Sequence, residues 1–311
     1  MAFRLPRFQR TAAIAPLQLT ERDREILRLL HRHRFLRSSQ IIALLESSPQ
    51  QISRRLQRLY HHGYLERPRA QLDYYHQGGS RHIVYGLGSQ AGTVLNVGLG
   101  MVRRPSSWSE KNRAVGRMFL EHALLVSDVM VALELACRNQ DGVRLLHEEQ
   151  LALGPKQKLF RWRVKTQDGI KLGVIPDRVF ALEYLDQNAQ PKRVYFFLEA
   201  DRGTMPVKRH TLSQSSFARK LLAYEATWTQ RIHERQLGIH RFRVLTVTTS
   251  AARVQSLLAA CSQLKRGHGL FLFADRTVLE KDPFAAVWQI GKAGEKAGIL
   301  DLPKMASHPV S

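Results

Sequence analysis

Three carboxylates are spaced so that they could do chemistry together. Val174-Ile175-Pro176-Asp177 puts an acid on one apolar run, and Phe196-Phe197-Leu198-Glu199-Ala200-Asp201 carries another run into two more. Glu199 and Asp201 are two residues apart, so on an extended strand both project from one face. If the two strands pair, Asp177 joins them. Such a cluster repels itself unless a proton or a divalent cation lies within it, and oxygen-only donors select Mg²⁺ or Mn²⁺. One or two such ions at Asp177, Glu199 and Asp201 would bind a phosphodiester and activate water for in-line attack. The competing reading is a buried structural ion pair, with Arg202 neutralising Glu199 or Asp201. Glu148 and Glu149 stay open as a fourth ligand.

A second constellation lies near the amino terminus. From Pro49 to Gly63 there is no Asp or Glu. At helical spacing Ile52, Leu56 and Leu59 form one stripe, and Gln50, Gln51, Arg54, Gln57 and Arg58 fall opposite. These side chains donate several hydrogen bonds each, the set used for phosphates and for purine edges in a major groove. Arg54, Arg55 and Arg58 are therefore expected to anchor the chain on duplex DNA. The A-form major groove is too narrow for side chains to read, which disfavours RNA.

The elements that must carry these residues follow from local signals. Thr20 with Asp23 marks a capping box for a first helix ending near His33, and Ser38 or Ser39 caps a short second helix. Ser48 caps the third, with Pro49 at its first position. Gly63 ends it, and a hairpin follows from Tyr64-Leu65 through a tip at Gln77-Gly78-Gly79-Ser80 to Arg81–Tyr85. Three helices and a hairpin make a winged helix, whose wing brings Arg67, Arg69 and Arg81 to a backbone or minor groove, with Tyr74, Tyr75 and His76 near its tip. Beyond Met118 the order is a long helix to about Cys137, strands over Val143–Leu153, Leu172–Leu182 and Arg193–Ala200, a helix over Ser213–Gln236, a strand Phe242–Thr248, a helix Ala251–Leu264 and a strand Leu270–Ala274. That order predicts an α/β domain with a mixed sheet. The expected organisation is a basic arm at 1–18, a winged-helix domain at 19–102, a linker at 103–117, the α/β domain at 118–290 and a loosely ordered tail at 291–311.

Composition agrees with a polyanionic partner. The 311 residues hold 48 Lys plus Arg against 26 Asp plus Glu, a formal charge of +22. Residues 1–117 contribute 20 cations, 19 of them Arg, against 7 acids. The Arg fork suits phosphate and guanine edges better than an ammonium does. Cys137 and Cys261 form no C-x-x-C or C-x-x-H cluster, so neither a disulfide framework nor a cysteine zinc site is supported, and a reducing cytoplasm fits. There is no transmembrane run, no phosphate-binding G-x-x-x-x-G-K motif and no G-x-S-x-G nucleophile elbow.

The core order, with Pro176-Asp177 followed by Glu199, resembles the PD-(D/E)xK nuclease superfamily. This resemblance implies a restriction-endonuclease-like αβββαβ domain in which Asp177 and Glu199 are catalytic; Asp201 stands where that superfamily has Lys. Lys220, on the following helix, is implied as a relocated lysine, the alternative being a solvated helix face. The whole chain is similar to the replication-relaxation family of plasmids and conjugative elements, through Leu19-Thr20-Glu21-Arg22-Asp23, Arg55-Leu56-Gln57-Arg58-Leu59 with Gly63-Tyr64-Leu65, Pro176-Asp177, Glu199-Ala200-Asp201-Arg202-Gly203-Thr204, Lys220 and Tyr224. It implies a DNA-associated role in replication, relaxation or transfer of a mobile element. Two alternatives stay open: an active Mg²⁺-dependent endonuclease or nickase, and a transcriptional or architectural regulator whose second domain lost catalysis. The latter would bind another mobile-element protein or form a homodimer.

Overall fold

The structure, a computed structural model, describes residues 7–11, 16–72, 82–99, 108–151, 160–166, 168–186, 188–209, 214–292 and 294–301. The chain divides into two compact units, Met1–Ser127 and Asp128–Ser311.

In the first unit α1 spans Glu21–His33 and buries Ile26, Leu27, Leu29 and Leu30. Its capping box forms as the sequence predicts: Asp23 N donates to Thr20 Oγ1 at 3.3 Å and Thr20 N to Asp23 Oδ2 at 2.7 Å. A short strand absent from the expected elements follows, β1 at Phe35–Arg37, and then α2 at Ser38–Leu45. The cap of α2 is Arg37 rather than a serine, because Gln40 Oε1 reaches back to Arg37 N at 2.8 Å. The third helix, α3, is Pro49–His61. Ser48 makes no side-chain cap bond and gives only its carbonyl, to Ile52 N at 3.0 Å. The far end closes with Gly63 N on Tyr60 O at 3.1 Å and Tyr64 N on Leu59 O at 3.0 Å, the paired bonds of a Schellman motif, with Gly63 at φ +80.

Strands β2, Leu65–Glu66, and β3, Val84–Leu87, join β1 in an antiparallel sheet of order β1-β3-β2. The expected long hairpin stops at Glu66. Pro68 has no N–H to give a ladder, and Arg69–Gln71 turn into a 3₁₀ helix. Gln71 then acts as a strand would, donating to Val84 O at 3.0 Å and accepting from Val84 N at 2.8 Å. The expected tip, with Tyr74, Tyr75, His76, Gln77–Ser80 and Arg81, lies outside the described residues. Helices α4, Ala91–Leu99, and α5, Trp108–Arg113, follow, so the expected linker contains a helix. Asn112 Nδ2 donates to Leu87 O at 2.9 Å. The division between units falls inside the next helix, α6, Arg117–Arg138, because Leu120 and Leu124 pack with Phe35 and Val84.

In the second unit β4 is Val143–His147, β7 is Arg178–Leu185 and β8 is Pro191–Ala200, with a separate hairpin of β5, Trp162–Lys165, and β6, Lys171–Val174. After β8 come α7, Phe217–Thr229, α8, Ile232–Arg235, β9, Phe242–Thr248, α9, Ala251–Cys261, and β10, Phe271–Asp275. Strands β11, Trp288–Ile290, and β12, Lys296–Ala297, complete a mixed sheet of order β12-β11-β10-β9-β8-β7-β4. Strands β8, β9 and β10 run parallel, and β4, β7 and β8 antiparallel. The face carrying Phe197 packs on Leu221 and Tyr224 of α7 and Val254 and Leu257 of α9.

The sequence-based order is met in outline, but β5 and β11 were not expected, the first strand ends at His147 rather than Leu153, and three further differences bear on the site and the tail. The expected second strand is two, because Ile175-Pro176-Asp177 separates β6 from β7, and Asp177 precedes β7 rather than lying on it. The expected helix over Ser213–Gln236 is split into α7 and α8 at Arg231, which has φ 52. The expected loose tail carries β12 and a fully buried Ile299. Among the described residues no helix is long and apolar enough to cross a membrane.

Candidate functional site

Asp177, Glu199 and Asp201 all lie at the carboxyl end of β8. Arg178 pairs with Leu198 in the ladder, so Asp177 sits beside the strand's last turns, its N on Leu198 O at 3.0 Å and its Oδ2 accepting from Ala200 N at 2.8 Å. Glu199 is only 2% exposed. The apolar stripe Phe217, Leu221, Tyr224 seats α7 on the sheet, and Lys220 and Tyr224, one turn apart on it, both reach Glu199. The Lys220 ammonium ion-pairs with Glu199 Oε2, and Tyr224 OH donates to Oε1 at 2.5 Å.

Burial pushes the Glu199 carboxyl above its usual range, with Asp177 adding to the push and Lys220 opposing it. Burial pulls Lys220 down, but the charges of Glu199, Asp177 and Asp201 together hold it above its ordinary value. Burial and the Glu199 charge raise the Tyr224 phenol well above its ordinary value, so it stays a donor. Lys220 is thus ion-paired with a buried carboxylate and is not a solvated helix residue.

Asp201 is turned to other partners. Arg253, on α9, grips it with Nε on Oδ2 at 2.8 Å and Nη2 on Oδ1 at 3.3 Å, and Thr248 Oγ1 donates to Oδ2 at 2.8 Å. The cations that meet Glu199 and Asp201 at these atoms are Lys220 and Arg253. Among the described residues no group of three or more His, Cys, Asp or Glu side chains could hold a metal ion. Glu199 is spent on Lys220 and Tyr224, and Asp201 on a guanidinium and a hydroxyl. The donor set of Asp177, Glu199 and Asp201 thus does not fit Mg²⁺ or Mn²⁺ in this arrangement. Glu148 lies in the turn after β4, where burial raises its carboxyl against the pull of Arg178 and the Val179 N–H. Neither thiol is an activated nucleophile: burial pushes Cys137 and Cys261 up to about 12.

In the first unit α3 buries Ile52, Leu56 and Leu59 and leaves Gln50, Gln51, Arg54 and Arg58 exposed. Among the described residues no carboxylate pairs with Arg54 or Arg58. Arg55 is different, which corrects its place among the expected DNA contacts. Its Nε donates to Asp23 Oδ1 at 2.8 Å, its Nη2 pairs with Asp23 Oδ2, and Nη2 also donates to Gln18 O at 3.2 Å. Burial works to raise the Asp23 carboxyl, but Arg55 and Thr20 outweigh it and hold the group below the ordinary carboxylate value. Arg55 thus clamps α3 to the start of α1.

Arg67 is likewise not a wing contact. It is 4% exposed, lies 4.1 Å from the Tyr60 ring centroid and 5.1 Å from that of Tyr85, and donates to Tyr85 OH at 3.0 Å. Arg69 is exposed, and Arg81 lies outside the described residues. Part of the expected free arm is docked: Arg10 donates to Tyr60 O and Leu65 O, each at 2.9 Å, and pairs with buried Glu66 at 2.6 Å.

A family model described as replication-relaxation matches residues 27–241, more than two thirds of the chain. The chain belongs to the replication-relaxation family. Membership ties it to the replication or relaxation of plasmids and other mobile elements. No curated protein and no solved structure matches the chain. The match takes in α3, Asp177, Glu199, Asp201, Lys220 and Tyr224, and it stops before Thr248 and Arg253. Those two partners of Asp201 were not foreseen: Thr248 is one of three polar residues on β9, with Arg243 and Thr246, and nothing in its local sequence marks it. The Asp23–Arg55 pair was likewise missed, although Asp23 is the one acid that faces inward on α1.

Proposed function

We propose that this replication-relaxation protein binds duplex DNA, with the first unit acting as a winged helix that lays α3 in the major groove. The observation that carries the reading is the exposed face of α3, where Gln50, Gln51, Arg54 and Arg58 stand with no acid within the helix. A solvated helix face ordinarily mixes both signs of charge. Gln50 and Gln51, near the helix amino terminus, suit base edges, and Arg54 and Arg58 suit phosphates or guanine. A binding assay on duplex DNA with Arg54→Ala and Arg58→Ala tests this. The expected result is weaker binding by both, with a loss of about 1–3 kcal/mol where the residue reads a base. Unchanged affinity in both variants would refute it.

One observation favours a second reading, a PD-(D/E)xK-type nuclease: Lys220 reaches Glu199 from the following helix while Asp177 stands close enough to bias the same ammonium. No catalytic step is derived for it, because the acids do not fit a cation as they stand. Supercoiled plasmid incubated with Mg²⁺ or Mn²⁺ separates the readings. DNA binding without cleavage leaves it intact, whereas nicking that Asp177→Ala abolishes establishes the nuclease.

A further inference from the structure

On the buried side of α3, Arg10, Arg67, Arg69 and Arg113 meet Tyr60 and Glu66 around a cavity of about 310 Å³. Four guanidinium groups face one carboxylate there, an excess of three positive charges among these lining groups. Glu66 is 2% exposed, and its Oε1 accepts from Arg10 Nη2 at 2.6 Å and from Arg113 Nη2 at 3.2 Å. Arg10 also donates to Tyr60 O and Leu65 O, so Glu66 and two carbonyls answer Arg10, while Arg113 has Glu66 alone among the described residues. Arg69 has no carboxylate partner among the described residues. Arg67 spends its terminal nitrogens on Arg7 O and Tyr85 OH, but its Nε is buried with no hydrogen-bond partner among the described residues.

A buried donor left unsatisfied costs about 1–3 kcal/mol, and more where the group is charged. A folded protein keeps four guanidinium groups around one cavity most readily where an anion offsets their charge. Phosphate supplies close to two negative charges and three strong acceptor oxygens, which offsets most of the excess charge and suits several donors at once. The cavity is at the small end of ligand-site volumes, roughly 300–1,000 Å³, and so admits a phosphate group rather than a duplex. We propose that this cavity binds a terminal phosphate monoester or inorganic phosphate, as a site separate from the exposed face of α3. The chemistry is the same whether the phosphate is free or ends a nucleic-acid strand.

The test is calorimetric titration of the full chain with inorganic phosphate, followed by competition with one oligonucleotide carrying a 5′-phosphate or a 5′-hydroxyl. The proposal expects saturable phosphate binding that weakens about tenfold in Arg69→Ala and in Arg113→Ala, the effect of losing one charge-assisted hydrogen bond. Arg69 is exposed, so Arg69→Ala should melt at the wild-type temperature without ligand and report binding alone. Displacement by the 5′-phosphorylated strand only identifies a strand end as the source. Displacement by neither strand identifies free phosphate, and both results sustain the site. No saturable binding by the wild type, or binding unchanged in both variants, overturns it. Duplex affinity measured on the Arg113→Ala sample keeps the two proposals apart, because Arg113 is not among the residues assigned to duplex contact and duplex binding rests on Arg54 and Arg58.

Discussion

Neighbouring arginines on α3 should respond oppositely to truncation. Arg55→Ala removes both bonds that Arg55 makes to Asp23, a carboxylate with no solvent exposure. Breaking a buried pair from one side costs about 3–5 kcal/mol, because the surviving charge is left uncompensated. Here Asp23 keeps its bonds from Thr20 N at 2.7 Å and Thr20 Oγ1 at 2.8 Å, and Arg55 itself is 22% exposed, so the lower end applies. A loss of about 3 kcal/mol lowers Tm by roughly 10 °C for a unit of this size. Arg54→Ala, on the exposed face, should stay within about 0.5 kcal/mol of wild type. Adding Asp23→Asn to Arg55→Ala should recover part of the loss, since the stranded charge is then gone. Thermal and urea denaturation measure all three. If Arg55→Ala is as stable as Arg54→Ala and loses DNA affinity instead, Arg55 is a groove contact and the clamp assignment is wrong.

Other perturbations read other parts of the fold. Lys220→Met removes the cation that opposes burial of Glu199, so the carboxyl rises further; because a raised folded pKa stabilises at low pH and loses that gain as pH rises, the variant's Tm deficit should be larger at pH 7–8 than near pH 5. Asp23 behaves in the opposite sense: its pKa is held below the ordinary 3.8, so the Asp23→Asn penalty should persist from neutral pH down to about that value and vanish as acid protonates the folded carboxyl. Gly63→Ala forces a side chain into the left-handed region at φ +80 and should cost about 1–2 kcal/mol. Gly88→Ala should cost about 3 kcal/mol or more, since its Cβ would stand 2.2 Å from Gly63 O, and thermal denaturation of the pair compares a backbone penalty with a clash.

The elements with strong local signals were legible in the sequence. The Thr20–Asp23 box fixes the start of α1, the Ile52-Leu56-Leu59 stripe and Gly63 fix α3, and the fully buried β9 matches its expected span, Phe242–Thr248, in full. Elements that depend on distant partners were not. β1 is three residues long and exists because β3 pairs with it, and Gln71 replaces a length of strand through side-chain bonds that no period reveals. At the acid site the residue types and the two-residue spacing of Glu199 and Asp201, at and just past the end of β8, were readable. The choice of partners was not, because Lys220 and Arg253 come from two different helices and only the folded sheet brings them to adjacent acids. Arg55 shows the same limit: its neighbours in sequence suggest a DNA contact, and Asp23, 32 residues earlier, decides otherwise.

The central claim is that α3 meets duplex DNA through Arg54 and Arg58. It is tested most directly by measuring duplex affinity against salt concentration for wild type, Arg54→Ala and Arg58→Ala. If each arginine neutralises one phosphate, each variant should bind more weakly and show a log–log salt slope shallower by about 0.9 than wild type. Wild-type affinity and slope in both variants would contradict the account.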